Sequence, residues 1–183
     1  MPGMGDFIGG VLHPVVTPSH FLLLLGLGLL AGRRSPPPMK LSMGLFLPLS
    51  ALALASTAAG WVKGVHPTLL HGLILVTGAV LALDKLPTPS GAAVVFGMAA
   101  LVLGFDSGVE TGASGSVLKT LLGTWLSLAV LSYDAAILAA LAAGRRWWPV
   151  ARRITGAWLV AIALMMLAFA LRPPPAPGPG PTP

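Results

Sequence analysis

"LHPVVTPSHFLLLLGLGLLAG", residues 12–32, sets two histidines and two prolines directly before a leucine-rich run. From Pro18 to Ala31 the run spans about 21 Å at 1.5 Å per residue, less than the roughly 30 Å of a bilayer's hydrocarbon core. The segment "HPVVTP" in front of it has to supply the missing depth. Pro14 and Pro18 each lack an amide donor and restrict the residue before them, which predicts a break rather than a continuous helix. Thr17 followed by Pro18 reads as a helix cap and a first helical position. Irregular backbone at bilayer depth persists only where protein buries it or it lines a wet cavity. The stretch therefore predicts a broken, partly inserted segment facing a polar cavity.

Composition agrees with a membrane reading. Of 183 residues, 55% are hydrophobic and only 9% charged, with a mean hydropathy of +0.88, whereas soluble domains are about a quarter charged. Six apolar segments lie near 18–31, 39–59, 67–83, 91–105, 117–143 and 150–171. They are separated by turn-forming or charged breaks such as "GRRSPPPMK" and "LDKLPTPSG". The expected fold is all-α: a polytopic integral membrane protein, a bundle of about six transmembrane helices. Residues 1–172 read as a single transmembrane domain. Residues 173–183 read as a Pro-rich, disordered tail of extended polyproline type. The first dozen residues carry no Lys or Arg, so a cleavable signal is not expected.

The basic residues give an orientation. With the N-terminus outside, the inner segments hold Arg33, Arg34, Lys40, Lys85, Arg145, Arg146, Arg152 and Arg153, and the outer ones only Lys63, Lys119 and Arg172. The positive-inside rule then places both termini outside. The pI near 10.9 becomes a topology signal, with attraction to anionic lipid headgroups, rather than a mark of nucleic-acid binding. Trp147 and Trp148 beside the Arg pairs fit an interfacial anchor.

With that orientation the polar residues collect at one face. His13 and His20 precede the first span, His66 and His71 open the third, and Asp106 and Glu110 close the fourth. Asp106 and Glu110 are spaced i, i+4 and share a helix face if the helix continues; Gly104, Gly108 and Gly112 nearby suit close packing or unwinding. Imidazole and carboxylate donors, with no cysteine in the chain, suit a divalent transition ion such as nickel, cobalt or zinc. Asp134 differs. It lies well inside the fifth segment, where a carboxyl costs about 2.5–3.5 kcal/mol unless paired or hydrated, and a pathway role is expected of it. Asp84 beside Lys85 reads as an ordinary interfacial charge.

These residues resemble the HupE/UreJ family, hydrogenase and urease accessory permeases implicated in nickel or cobalt uptake. That family opens with a motif of the form HPxxGxDH before a Leu- and Gly-rich helix. "HPVVTPSHFLLLLGLGLLAG" matches it at His13, Pro14 and His20, with Ser19 where the family has Asp and without the motif glycine. "GFDSGVE" stands where the family has a His-rich string, keeping Glu110 and supplying Asp106. The resemblance implies six helices and a bound or transported nickel or cobalt ion.

The expected function is therefore uptake of a divalent transition metal across a bacterial inner membrane. His13, His20, His66, His71, Asp106 and Glu110 are the candidate metal residues, and Asp134 a deeper pathway residue. The expected partners are the lipid bilayer and other membrane subunits. Two alternatives stand beside it: a non-transporting small subunit of a membrane complex, and a haem-b protein with paired histidine ligands. No Walker loop, HExxH or argued triad occurs, so an enzyme is not expected.

Overall fold

Proline opens one helix after another in this chain. Its missing N–H costs nothing in a helix's first turn, and its fixed φ is already helical. The computed structural model describes residues 4–32, 39–85, 88–107 and 117–172. Every regular element among them is an α-helix: α1 (Met4–Val16), α2 (Pro18–Ala31), α3 (Met39–Ala58), α4 (Pro67–Ala82), α5 (Pro89–Asp106), α6 (Val117–Ala142) and α7 (Trp148–Ala170). Pro18, Pro67 and Pro89 stand at helix starts, and the Thr88 hydroxyl accepts the Gly91 amide at 3.1 Å to cap α5.

The first helix corrects the sequence reading. The backbone expected to be irregular through "HPVVTP" is helical to Val16, with Pro14 inside α1. Thr17 alone interrupts it, and there the axis turns by 70° into α2. The Thr17 amide still reaches the His13 carbonyl at 3.1 Å, while Pro18 has no amide to carry the ladder onward. Tertiary packing explains why α1 survives its proline. A Cβ on Gly10 would strike the Thr120 carbonyl, and one on Gly123 would strike that of Phe7, so α1 lies directly on the backbone of α6.

Close approach at small residues organises the rest. Gly28 and Gly32 of α2 press on Ala135 and Ala139 of α6, Gly104 of α5 on Ala53 of α3, and Gly78 of α4 on Gly156 of α7. Such contacts drive helix association where lipid removes the hydrophobic contrast. The most extensive pairings are α4 with α7, α1 with α6 and α3 with α5, and α2 runs between α6 and α4. Leu23, Leu24, Leu27, Phe46, Ile74 and Phe96 fill the centre and are almost wholly buried.

By length and composition α6 and α7 can each cross a membrane, and the bent pair α1 and α2 makes a third candidate. The apolar parts Ser42–Ala58, Pro67–Ala82 and Ser90–Asp106 are shorter. His66 and His71 stand at the start of α4, and Arg152 and Arg153 meet its other end. At the arginine end Asp84, in the left-handed region at φ 55°, accepts from Arg152 and, at 2.8 Å, from Arg153. That clamp joins the end of α4 to the start of α7. The interfacial charge expected of Asp84 thus carries two arginine partners that the sequence did not indicate.

Candidate metal site

On a straight helix residues seven apart lie about 10.5 Å apart along the axis. The turn at Thr17 changes this for His13, on the last turn of α1, and His20, on the first turn of α2. Their ring centroids are 5.2 Å apart and edge-on. His20 is 0% exposed, and its Nε2–H donates to Asp106 Oδ2 at 2.8 Å. Asp106 is the last residue of α5, so this bond ties the hinge to a helix far along the chain. His71, on the second turn of α4, is 9% exposed. The hinge and α5 thus bring two edge-on imidazoles to one carboxylate, His20 bonded to it and His13 packed against His20.

The unused atoms are the chemically telling ones. His13 Nε2, His20 Nδ1 and His71 Nδ1 are buried and have no hydrogen-bond partner among the described residues. Buried polar atoms are almost always satisfied, and exceptions call for an explanation. With Nε2 protonated toward Asp106, the Nδ1 lone pair of His20 is free to bind a cation. A metal-binding imidazole that donates its other N–H to a carboxylate is held in one tautomer and made more basic. Asp106 is therefore suited to orient His20. Among the described residues no three His, Asp or Glu side chains are drawn in tightly enough to chelate an ion as they stand. The three nitrogens are buried and unengaged rather than drawn around an ion.

The residues one turn beyond these imidazoles are apolar. One turn beyond His20 lie Leu23 and Leu24, and one turn beyond His71 lies Ile74, all essentially inaccessible. Deeper hydroxyls do not open a route. Thr77 Oγ1 donates to the Leu73 carbonyl at 2.7 Å and Ser132 Oγ to that of Ala129 at 3.0 Å, each back onto its own helix.

The remaining candidates stand elsewhere. His66 is exposed and caps α4, its Nδ1 accepting from the Thr68 amide at 3.4 Å and lying 2.8 Å from the Thr68 hydroxyl. Glu110 lies outside the described residues, as do Gly108 and Gly112. Asp134 is exposed on the outside of α6, in the grooves that α6 makes with α3 and with α2. The structure does not join it to the histidines. Sequence reasoning missed Ser107, whose buried Oγ has no partner among the described residues and follows Asp106 directly; its place in "GFDSG" was the available signal.

Comparison with known proteins adds one finding. No curated protein and no solved structure matches the chain. The family model described as HupE / UreJ protein matches residues 1–166. A chain whose described elements are all helical, with two imidazoles paired at a bent helix pair and a family match over most of its length, belongs to the HupE / UreJ family.

Proposed function

We propose that the protein is a permease admitting a divalent transition-metal ion, nickel or cobalt, at its histidine end. The family's association with nickel and cobalt accessory transport supports the class of cargo. One observation carries the reading: His20 Nε2 is bonded to Asp106 while its Nδ1, like His13 Nε2 and His71 Nδ1, is buried without a partner among the described residues. His13, His20 and His71 supply neutral nitrogen donors of the kind these ions favour, and Asp106 orients His20 and adds negative charge. Glu110 follows Asp106 four residues on in the chain and is an acidic candidate on sequence alone.

In this reading α2 to α7 cross a bacterial inner membrane, α1 enters only partly, and the arginine end faces the cytoplasm. The distribution of Lys and Arg supports that orientation. The protein performs no chemistry on its cargo. It moves the ion, and the bilayer is its principal partner.

Radioactive nickel uptake in cells expressing the wild type or His20→Ala tests the proposal. Uptake that depends on the protein and falls at least about tenfold in His20→Ala is expected, the scale set by losing one ligand of a metal set. Equal uptake in wild type, variant and empty cells would end the transport reading. A second reading, a small non-transporting subunit, draws on Ser19 standing at the motif's aspartate; stoichiometric co-purification with other chains and no uptake would favour it.

A further inference from the structure

We propose that the chain pairs with a second copy of itself along α6, through reciprocal hydrogen bonds between Tyr133 of each copy and Asp134 of the other. α6 is long and apolar enough to span a membrane by itself. Asp134 lies eight residues before its end, about 12 Å inside at 1.5 Å per residue. The side chain is exposed, and no partner accompanies it among the described residues. An ionisable group at that depth facing bare lipid is costly, and such groups almost always face protein or water. Beside it stands Tyr133, the only tyrosine of the chain and 49% exposed. Donor and acceptor are adjacent in the chain, and both line the groove between α6 and α3.

A second copy is the occupant this face fits. Chains inserted in one orientation relate by a two-fold axis along the membrane normal, so equivalent residues meet at equal depth. Such an interface is self-complementary: residue i meets j and j meets i. A neighbouring hydroxyl and carboxyl answer each other twice under that symmetry. The shape agrees. Leu122, Leu126, Val130 and Ile137 continue the exposed ridge above and below the pair. Grooves flank it, one of about 280 Å³ against Met43 and Leu47 of α3, the other of about 400 Å³ against Phe21, Leu25 and Leu29 of α2. The ridge of one copy can sit in a groove of the other, the usual mode of helix packing. A phospholipid does not answer the carboxyl, because its donors lie at the headgroup level, well above Asp134.

The chain has no cysteine, so cross-linking reports on introduced thiols alone. Full-length Val130→Cys and, as a control on the opposite exposed face, Leu164→Cys are oxidised in membranes of cells expressing them. Val130→Cys should form disulfide dimers and Leu164→Cys should not. Adding Tyr133→Phe or Asp134→Ala should weaken dimerisation roughly tenfold, two symmetry-related bonds being lost at once. Asp134→Asn, which keeps an acceptor, should restore it. Failure of Val130→Cys to cross-link while the protein folds and inserts would overturn the dimer. So would cross-linking to a different protein alone, a monomer carrying bound lipid in native mass spectrometry, or equal weakening by Lys40→Ala, which would give the carboxyl an in-chain partner. None of these outcomes bears on nickel uptake, which is scored separately.

Discussion

His20 concentrates the chemistry of this molecule in one side chain. One ring nitrogen is committed to Asp106 and the other is buried with nothing to bind. Asp106→Ala should free His20 to rotate and change tautomer, lowering nickel affinity by about 10–100-fold in calorimetry of the purified protein. The sign of the pH dependence follows from the same atoms. Imidazoles ordinarily change charge near pH about 6.5 and only the neutral ring binds metal, so initial uptake rates should fall as pH drops from 7.5 to 5.5. Much of this site was legible beforehand: His13, His20, His71 and Asp106 were placed at one end by counting spans and charges alone. The capping role of His66 was less legible. A histidine ahead of proline fits a cap and a ligand set equally well, and only the Thr68 contacts decide between them.

Among the elements, α1 shows where a sequence pattern misleads. Two prolines four residues apart promise irregular backbone, yet α1 continues past Pro14 because Gly10 and Gly123 let it lie flat on α6. Helices in proteins owe most of their stability to such packing rather than to propensity. The surroundings of Asp134 were illegible for the converse reason. Polar residues are scattered around α6, so its sequence does not say which side packs on its neighbours. Packing also predicts which glycines matter. A Cβ at Gly156 would lie 2.5 Å from the Ala82 amide nitrogen and 2.8 Å from the Gly78 carbonyl, backbone that cannot step aside. Gly156→Val should cost about 1–3 kcal/mol and lower the Tm in detergent. At Gly72 a Cβ meets nothing within 4 Å, so Gly72→Ala should leave the Tm unchanged or raise it.

Across the whole molecule, the buried imidazoles and the Asp84 clamp stand at opposite ends of α4. The clamp at the arginine end is unequal. Arg152 is buried and Arg153 is largely exposed. Arg153→Ala should cost no more than about 1 kcal/mol. Asp84→Ala leaves a buried guanidinium unanswered and should cost about 3 kcal/mol, the low end for such a loss because Asp84 itself is partly exposed; thermal unfolding of both variants gives the comparison. The layer of Leu23, Leu24 and Ile74 beneath the imidazoles has a further consequence. A resting molecule so built is an electrical insulator. Liposomes containing it should hold a proton gradient for as long as empty ones do, and Leu24→Ser should make them leak.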